Sequence, residues 1–307
     1  MLRFLLRRLL VAIPTLFLVI TVAFFMMRAA PGGPFDSDRK LPAEILKNVE
    51  AKYGLDKPLP VQYANYLSDV VRGDFGPSLK YRDKTVWQLV QEGFPISAKI
   101  GLTALALAAV VGVAVGVFAA LRQNRGADYA ATAVGVLGVT IPTFVTAPLL
   151  ILLFGSMLGW LPSGGWNEGA LLNMILPVTV LALPQVAIIS RLTRAGMIEV
   201  LRSNYIRTAR AKGLPESRIV TEHALRAALL PLVSYLGPAM AGLITGSLVV
   251  EQIFQLPGLG RSFVIGALQR DYTVVMGVVI LYATLIIVLN LIADLLYAVL
   301  DPRVRLS

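Results

Sequence analysis

The chain has no cysteine and one histidine, His223, among its 307 residues. Disulfides, thiolate metal sites and cysteine nucleophiles are therefore excluded. Histidine clusters and paired-histidine catalysis go with them. No Gly-Lys dipeptide occurs, so there is no P-loop. H-E-x-x-H cannot be written with one histidine, and G-x-S-x-G is missing as well. A catalytic triad would have to use His223, which sits in a basic loop and is expected to cap or pack there. No enzyme and no resident cofactor or metal is expected on this chain. Charge is scarce too. Charged residues are 15% and hydrophobic ones 56%, whereas a soluble domain carries about 25% charged residues. A chain this apolar would expose large patches unless its solvent were lipid.

A membrane-spanning helix needs roughly 20 apolar residues. Stretches at 9–28, 98–121, 131–158, 171–189, 228–250 and 274–300 meet that, predicting one all-α transmembrane domain over 1–307 with six spans. Pro14, Pro142, Pro148, Pro177, Pro184 and Pro238 fall in or beside them. Neighbouring helices can re-satisfy the carbonyls these prolines free. The net charge of +10 is placed unevenly. Arg3, Arg7 and Arg8 precede the first span, Arg122 and Arg125 follow the second, and eight basic residues crowd the segment after the fourth. The loop near 155–173 has none. Basic residues in short loops stay cytoplasmic, so both termini are expected inside. The opening "MLRFLLRRLL" could begin a signal peptide, but its apolar run is long and ends in Arg28. The first span is expected to be retained.

Two outer segments follow from this topology. Residues 29–97 read as short helices, one over Leu41–Tyr53 capped by Gly54 and one over Val61–Arg72 ended by Gly73. The segment is either a solvated loop or a cap that touches an external partner or the pore mouth. In 251–273, Pro257, Gly258 and Gly260 forbid a regular helix before apolar character resumes at Phe263–Leu268. That predicts a turn and then a short re-entrant or interfacial helix, with Phe263 and Leu268 shielded from water; an exposed loop is the alternative. Within the spans, Ala104, Ala108, Gly112, Gly116 and Ala120 make a small-residue ridge, and Gly242 and Gly246 repeat the device. Such ridges let helix backbones approach closely in lipid. Glu251 and Asp294 lie near span ends, where ion pairing is expected ahead of a cargo or proton role.

The segment 190–227 is basic where the rest is apolar. Periodicity puts Met197, Ile198, Leu201, Tyr205 and Ala209 on one helical face, with Glu199, Ser203, Arg207 and Arg210 opposite. Gly213 suits a left-handed C-cap, and Pro215 suits the first turn of a second helix that runs into the fifth span. This is a helical hairpin at the membrane surface, rigidly joined to a span. A DNA-reading helix–turn–helix would need a free recognition helix that the flanking spans deny it, so nucleic acid is not an expected partner. Attachment to anionic lipid is the simpler reading of the charge, but it does not require Ala209 and Gly213 at their spacing.

"RTARAKG" followed after nine residues by "HALR" resembles the cytoplasmic loop of binding-protein-dependent ABC transporter permeases. The general family pattern is Glu-Ala-Ala, three residues, Gly, nine residues, Ile-x-Leu-Pro; Arg207, Thr208, His223 and Arg226 depart from it in the manner of the oligopeptide, dipeptide and nickel branch. "LRFLLRRLLVAIPTLF", "EQIFQLPGLGRSFVIGALQRDY" and the closing "LDPR" are similar to that branch too. "GDFGPSLKYRD" and "LPSGGWN" look most like its oligopeptide permeases of the B-subunit type.

The resemblance implies a subunit in a bacterial inner membrane. It implies pairing with a second homologous permease, two cytoplasmic ABC ATPases that bind ATP and Mg, and a periplasmic binding protein that delivers peptide. It places Tyr205, Arg207, Thr208, Ala209, Arg210, Gly213 and His223 at the ATPase contact. A variant such as Ala209→Asp would then put a charge into that contact. Glu251, Phe254, Pro257, Gly258, Gly260, Arg270 and Asp271 become candidates for an outer gate or cargo path. Dipeptides, nickel chelates or opines are alternative cargoes within the branch. From other classes, a stand-alone secondary transporter predicts transport without ATP, and a membrane scaffold predicts recruitment without transport.

Overall fold

A computed structural model describes residues 2–30, 51, 54–81, 83–245 and 247–300, and every regular element among them is helical. The chain opens with α1 (Leu2–Ala29), followed by the short α2 (Leu59–Val71), which Gly73 ends with φ +77°. The helix expected over Leu41–Tyr53 falls almost wholly outside the described residues. Next come α3 (Val86–Leu121), α4 (Gly126–Thr140) and α5 (Thr143–Leu150), the last extended by π-helical turns over Ile151–Met157. Then follow α6 (Leu171–Leu201) and α7 (Asn204–Ala211). The helical run 216–228, here α8, comprises Glu216–Arg218, a π-helical Ile219–Ala224 and Leu225–Ala228. The chain continues through α9 (Leu230–Thr245), α10 (Leu248–Ile253), α11 (Leu259–Leu268) and α12 (Tyr272–Leu300).

Among the described residues, five helices are long and apolar enough to span a bilayer: Leu10–Ala29, Val86–Leu121, Leu171–Leu201, Leu230–Ile253 and Tyr272–Leu295. The expected third span, 131–158, is not one straight helix. It is the pair Gly126–Thr140 and Thr143–Met157, bent by 102°. The cause is Pro142, whose ring disfavours helical backbone in the residue before it. Ile141 is accordingly extended at φ −82°, ψ 117°. Two other helices outrun their apolar cores. α3 starts at Val86, inside the stretch read as outer loop, and carries Pro95 within it. α6 continues past 189 to Leu201, so the hairpin segment begins inside a helix.

The chain divides into two compact units. One is Ser97–Leu256 together with the chain from Ile286 onward; the other is Leu2–Ile96 with Pro257–Leu285. In the first, small residues set how closely helices approach. Ala104 and Ala108 are fully buried, and a Cβ on Gly112 would lie 2.8 Å from Cβ of Ile189. One on Gly116 would lie 2.6 Å from the Ser190 carbonyl oxygen, so α3 and α6 touch backbone to backbone. Gly242 does not repeat this: a Cβ there meets nothing within 4 Å. The closest approach in α9 is instead at Gly237, 2.1 Å from Cβ of Ala293. The helical period of α9 decides which glycine faces α12, and a G-x-x-x-G spacing alone does not reveal it. Gly246 lies outside the described residues.

In the second unit, Val86, Leu89, Val90, Leu259, Val274 and Val278 form the apolar cluster, with Phe75 and Phe263 packed against it. A Cβ on Gly93 would stand 2.9 Å from the Leu259 amide nitrogen, so α11 lies directly on α3.

Candidate coupling hairpin and outer gate

α6 stops at Leu201 because Ser203 turns extended, φ −71°, ψ 157°, before α7 begins. That break resets the helical phase. Ile206, fully buried, takes the inward place that an unbroken helix would give Tyr205, and Tyr205 is 49% exposed. Ala209 also faces inward. Together with Met197, Ile219, Ala224, Ala228 and Ala120 it forms the cluster on which the hairpin rests. Ala209 is therefore packed against its own chain, and a charge there would enter an intramolecular core. Arg207, Thr208 and Arg210 stand exposed on the opposite face of α7.

The turn closes as the glycine predicts. Gly213 adopts φ +77°, its N–H donates to the Arg210 carbonyl at 2.9 Å, and Leu214 N–H donates to the Ala209 carbonyl at 3.3 Å. Orphan carbonyls of the helix end are thereby satisfied. Arg210 spans the turn to Glu216, with Nε to Oε1 at 2.7 Å and Nη2 to Oε2 at 3.3 Å. Each partner stabilises the other's charged form, holding the Glu216 carboxyl below the usual glutamate range and pushing the Arg210 guanidinium up. His223 is half-buried in the π-helical turns of α8. Leu229 N–H bonds the Leu225 carbonyl and Val233 N–H the Leu229 carbonyl, so α8 passes into α9 almost without interruption. The hairpin is thus a basic, exposed α7 whose inner face is fixed to a spanning helix.

The residues grouped as a gate divide between the two units. Glu251 and Phe254 belong with α10, and both are fully buried. Ser247 donates its hydroxyl to Glu251, and the Phe254 carbonyl accepts Gly165 N–H at 2.8 Å. Asn173 Nδ2 then bonds the carbonyls of Gly164 and Gly165 at 3.2 and 3.1 Å, docking the "LPSGG" loop on the end of α10.

Pro257, Gly258, Gly260, Arg270 and Asp271 lie in the other unit. The turn into α11 uses left-handed backbone at Gln255, φ +54°, whereas Gly258 is extended. α11 is half-shielded: Phe263 packs inward, but Leu268 is 77% exposed, against the expectation that both would be covered. Leu268 belongs to the last turn, beyond the stretch that lies on α3.

Asp271 gathers five donors. Its carboxylate, fully buried, accepts Ser78 Oγ at 2.5 Å, the N–H groups of Leu79 and Lys80 at 3.2 Å, Thr273 Oγ1 at 2.9 Å and Val274 N–H at 3.3 Å. It caps α12 and clasps the stretch 78–80 with one group.

Two family models cover most of the chain. Residues 112–306 match the "Binding-protein-dependent transport system inner membrane component" and residues 1–101 match "Binding-prot-dependent transport system membrane comp, N-term". The chain belongs to this permease family. The oligopeptide transport system permease protein OppB of Salmonella typhimurium is 57% identical over 305 residues, covering 99% of this chain and 100% of the relative. The dipeptide transport system permease protein DppB of Bacillus subtilis is 43% identical over 306 residues, covering 100% and 99%. Among solved structures, the MetNI methionine ABC transporter in an inward-facing conformation matches with a TM-score of 0.61 at 19% identity. It covers 70% of this chain and 97% of that one, a likeness of fold.

One feature of the permease escaped the sequence reading. Asp128, 1% exposed, takes Arg194 in a two-point pair, Nε to Oδ1 at 2.6 Å and Nη2 to Oδ2 at 2.7 Å, and accepts Asn124 N–H at 2.9 Å. Sequence alone counts Arg194 as one more basic residue of the inner face. The available signal was a lone acid three residues after the basic "RQNR" stretch.

Proposed function

We propose that this permease is one membrane subunit of an ATP-driven importer that takes up oligopeptides delivered by a periplasmic binding protein. It spans the bacterial inner membrane six times, the bent α4–α5 pair counting as the third span, with both termini in the cytoplasm. A second homologous permease completes the cargo path, and two cytoplasmic ABC ATPases supply the ATP and Mg chemistry that this chain lacks. The hairpin carries the reading. α7 presents Tyr205, Arg207, Thr208 and Arg210 outward, while Ile206 and Ala209 fasten it to Ile219, Ala224 and Ala228 of α8, which runs on into α9. An ATPase that moves α7 therefore moves a span, and alternating access follows.

Oligopeptide cargo rests on the relative at 57% identity; the dipeptide relative at 43% supports shorter peptides as the second choice. Reconstitution in liposomes with the partner subunits and a labelled tetrapeptide tests both. Uptake that requires ATP and all subunits is the expected result, with unlabelled tetrapeptide competing better than dipeptide. Uptake by this chain alone, driven by an ion gradient, would overturn the importer reading.

A further inference from the structure

α1, α2, residues 54–57 and the stretch 74–79 line an open cavity of about 430 Å³ within one unit, with Phe24 and Tyr272 among its walls. Its polar groups are unusual in being fixed yet unsatisfied. Arg28 lies with its guanidinium 5.2 Å from the Phe24 ring centroid and 5.6 Å from that of Tyr272. Its Nε is buried without a hydrogen-bond partner among the described residues. Gln62 spends its amide nitrogen on the carbonyls of Leu55 and Lys57, at 3.0 and 2.7 Å, which fixes the direction of Oε1; that oxygen is buried and unpartnered. The Tyr66 hydroxyl is in the same condition. Buried polar atoms are nearly always paired, and three orphans lining one cavity of ligand size mark a place where a ligand supplies the partners.

The donor set defines that ligand. A guanidinium beside two aromatic rings, with a buried N–H left unpaired, is suited to a carboxylate. Gln62 Oε1 accepts from an N–H, and Tyr66 serves either role. Asp69 and Asp74, exposed on the rim, disfavour a bare inorganic anion and favour a ligand that also carries positive charge. We propose that this cavity binds the free C-terminal end of a short peptide. Arg28 takes the carboxylate, Gln62 takes a backbone N–H, and the acidic rim faces the ammonium end. One wall is prearranged, since the Asp271 clasp fixes Leu79 and the start of α12. The inference rests on the peptide-importer reading and extends it to an outer recognition site on the permease itself.

The test uses the full-length permease in lipid nanodiscs without its binding protein, titrated calorimetrically with trialanine, trialanine amide and acetate. Trialanine should bind the wild type at least tenfold more tightly than its amide, roughly the size of one charge-assisted hydrogen bond. Acetate should bind far more weakly than either. Arg28→Gln should bring the acid-to-amide ratio close to one, Arg28→Lys should restore part of it, and Tyr66→Phe should weaken both peptides about threefold. Thermal melting of each variant separates loss of binding from loss of fold. If Arg28→Gln does not fold, the ratio in Arg28→Lys and the affinities of both peptides for Tyr66→Phe decide: an unchanged ratio in the first together with unchanged affinities in the second overturns the site.

Absence of trialanine binding, an acid-to-amide ratio unchanged by Arg28→Gln, or acetate binding as tightly as trialanine overturns the site. ATP-driven uptake by the assembled importer is measured in parallel. Uptake without nanodisc binding removes the site and leaves the importer reading intact. Binding without any ATP-driven uptake removes the importer reading.

Discussion

At the hairpin, Met197, Ile206, Ala209, Ile219, Ala224 and Ala228 pack together and the charged groups of α7 stay outside. At the start of α12 a single carboxylate, Asp271, gathers two hydroxyls and three backbone N–H groups. Apolar contact is non-directional, so the first arrangement can tilt with its span and remain packed. A buried carboxylate holding several donors is directional, and it keeps a loop in one shape or loses it. A surface that transmits motion benefits from the first kind of holding. A wall that must present fixed groups benefits from the second.

The sharpest way to break this contrast is to exchange the chemistries. Ala209→Asp places an unpaired charge in the hairpin's apolar cluster and should cost about 3–5 kcal/mol. The protein should fall in abundance and the 205–226 segment should become sensitive to protease, because Ala209 supports α7 from inside. Normal abundance with lost ATPase binding would instead return Ala209 to a direct contact. Asp271→Ala does the reverse, stripping donors of their acceptor at a total cost of about 3 kcal/mol, since several are only partly buried. Cleavage should appear near Leu79 while the hairpin stays resistant. Equal protease sensitivity at both ends in either variant would show that the two regions are not independently held.

What the sequence could and could not disclose follows from the same physics. The long apolar runs, the basic hairpin and the turn at Gly213 are local: each rests on composition, period or one residue's backbone freedom. The phase of α7 was not legible, because a helical period carried across Ser203 assigns the inward place to Tyr205 where the break hands it to Ile206. Gly242 against Gly237 is the same failure, a spacing read without knowing which face meets a neighbour. Asp271 and the Asp128–Arg194 pair join residues far apart in the chain, and no single window contains both halves. The bend at Pro142 was readable in principle, but an apolar run long enough to span hid it.

A smaller effect should come from Gly213→Val. A Cβ there meets nothing within 4 Å, so the cost is purely that of a β-branched residue at φ +77°, about 1–2 kcal/mol. The fold should survive while α7 is presented at a different angle. Co-purification of the ATPase subunits is the measurement, and Gly213→Asn should be milder, since asparagine tolerates left-handed backbone. Full recovery of the ATPases with Gly213→Val would detach the turn from docking.

The smallest effect belongs to the Arg210–Glu216 pair, which bridges that turn in solvent, with side-chain exposures of 43% and 62%. Exposed pairs contribute at most about 1 kcal/mol. Because Arg210 lowers the Glu216 pKa, the pair's stabilisation is complete above the ordinary glutamate value of 4.5 and fades as pH falls through the lower folded value. Melting of wild type and Glu216→Gln should therefore differ slightly at pH 7 and converge in acid. The difference should also shrink in 1 M salt, where charges are screened beyond about 3 Å. If it persists unchanged in acid and in salt, Glu216 acts through packing or through the first turn of α8. In that case the hairpin has no electrostatic latch, and its rigidity rests on the apolar cluster alone.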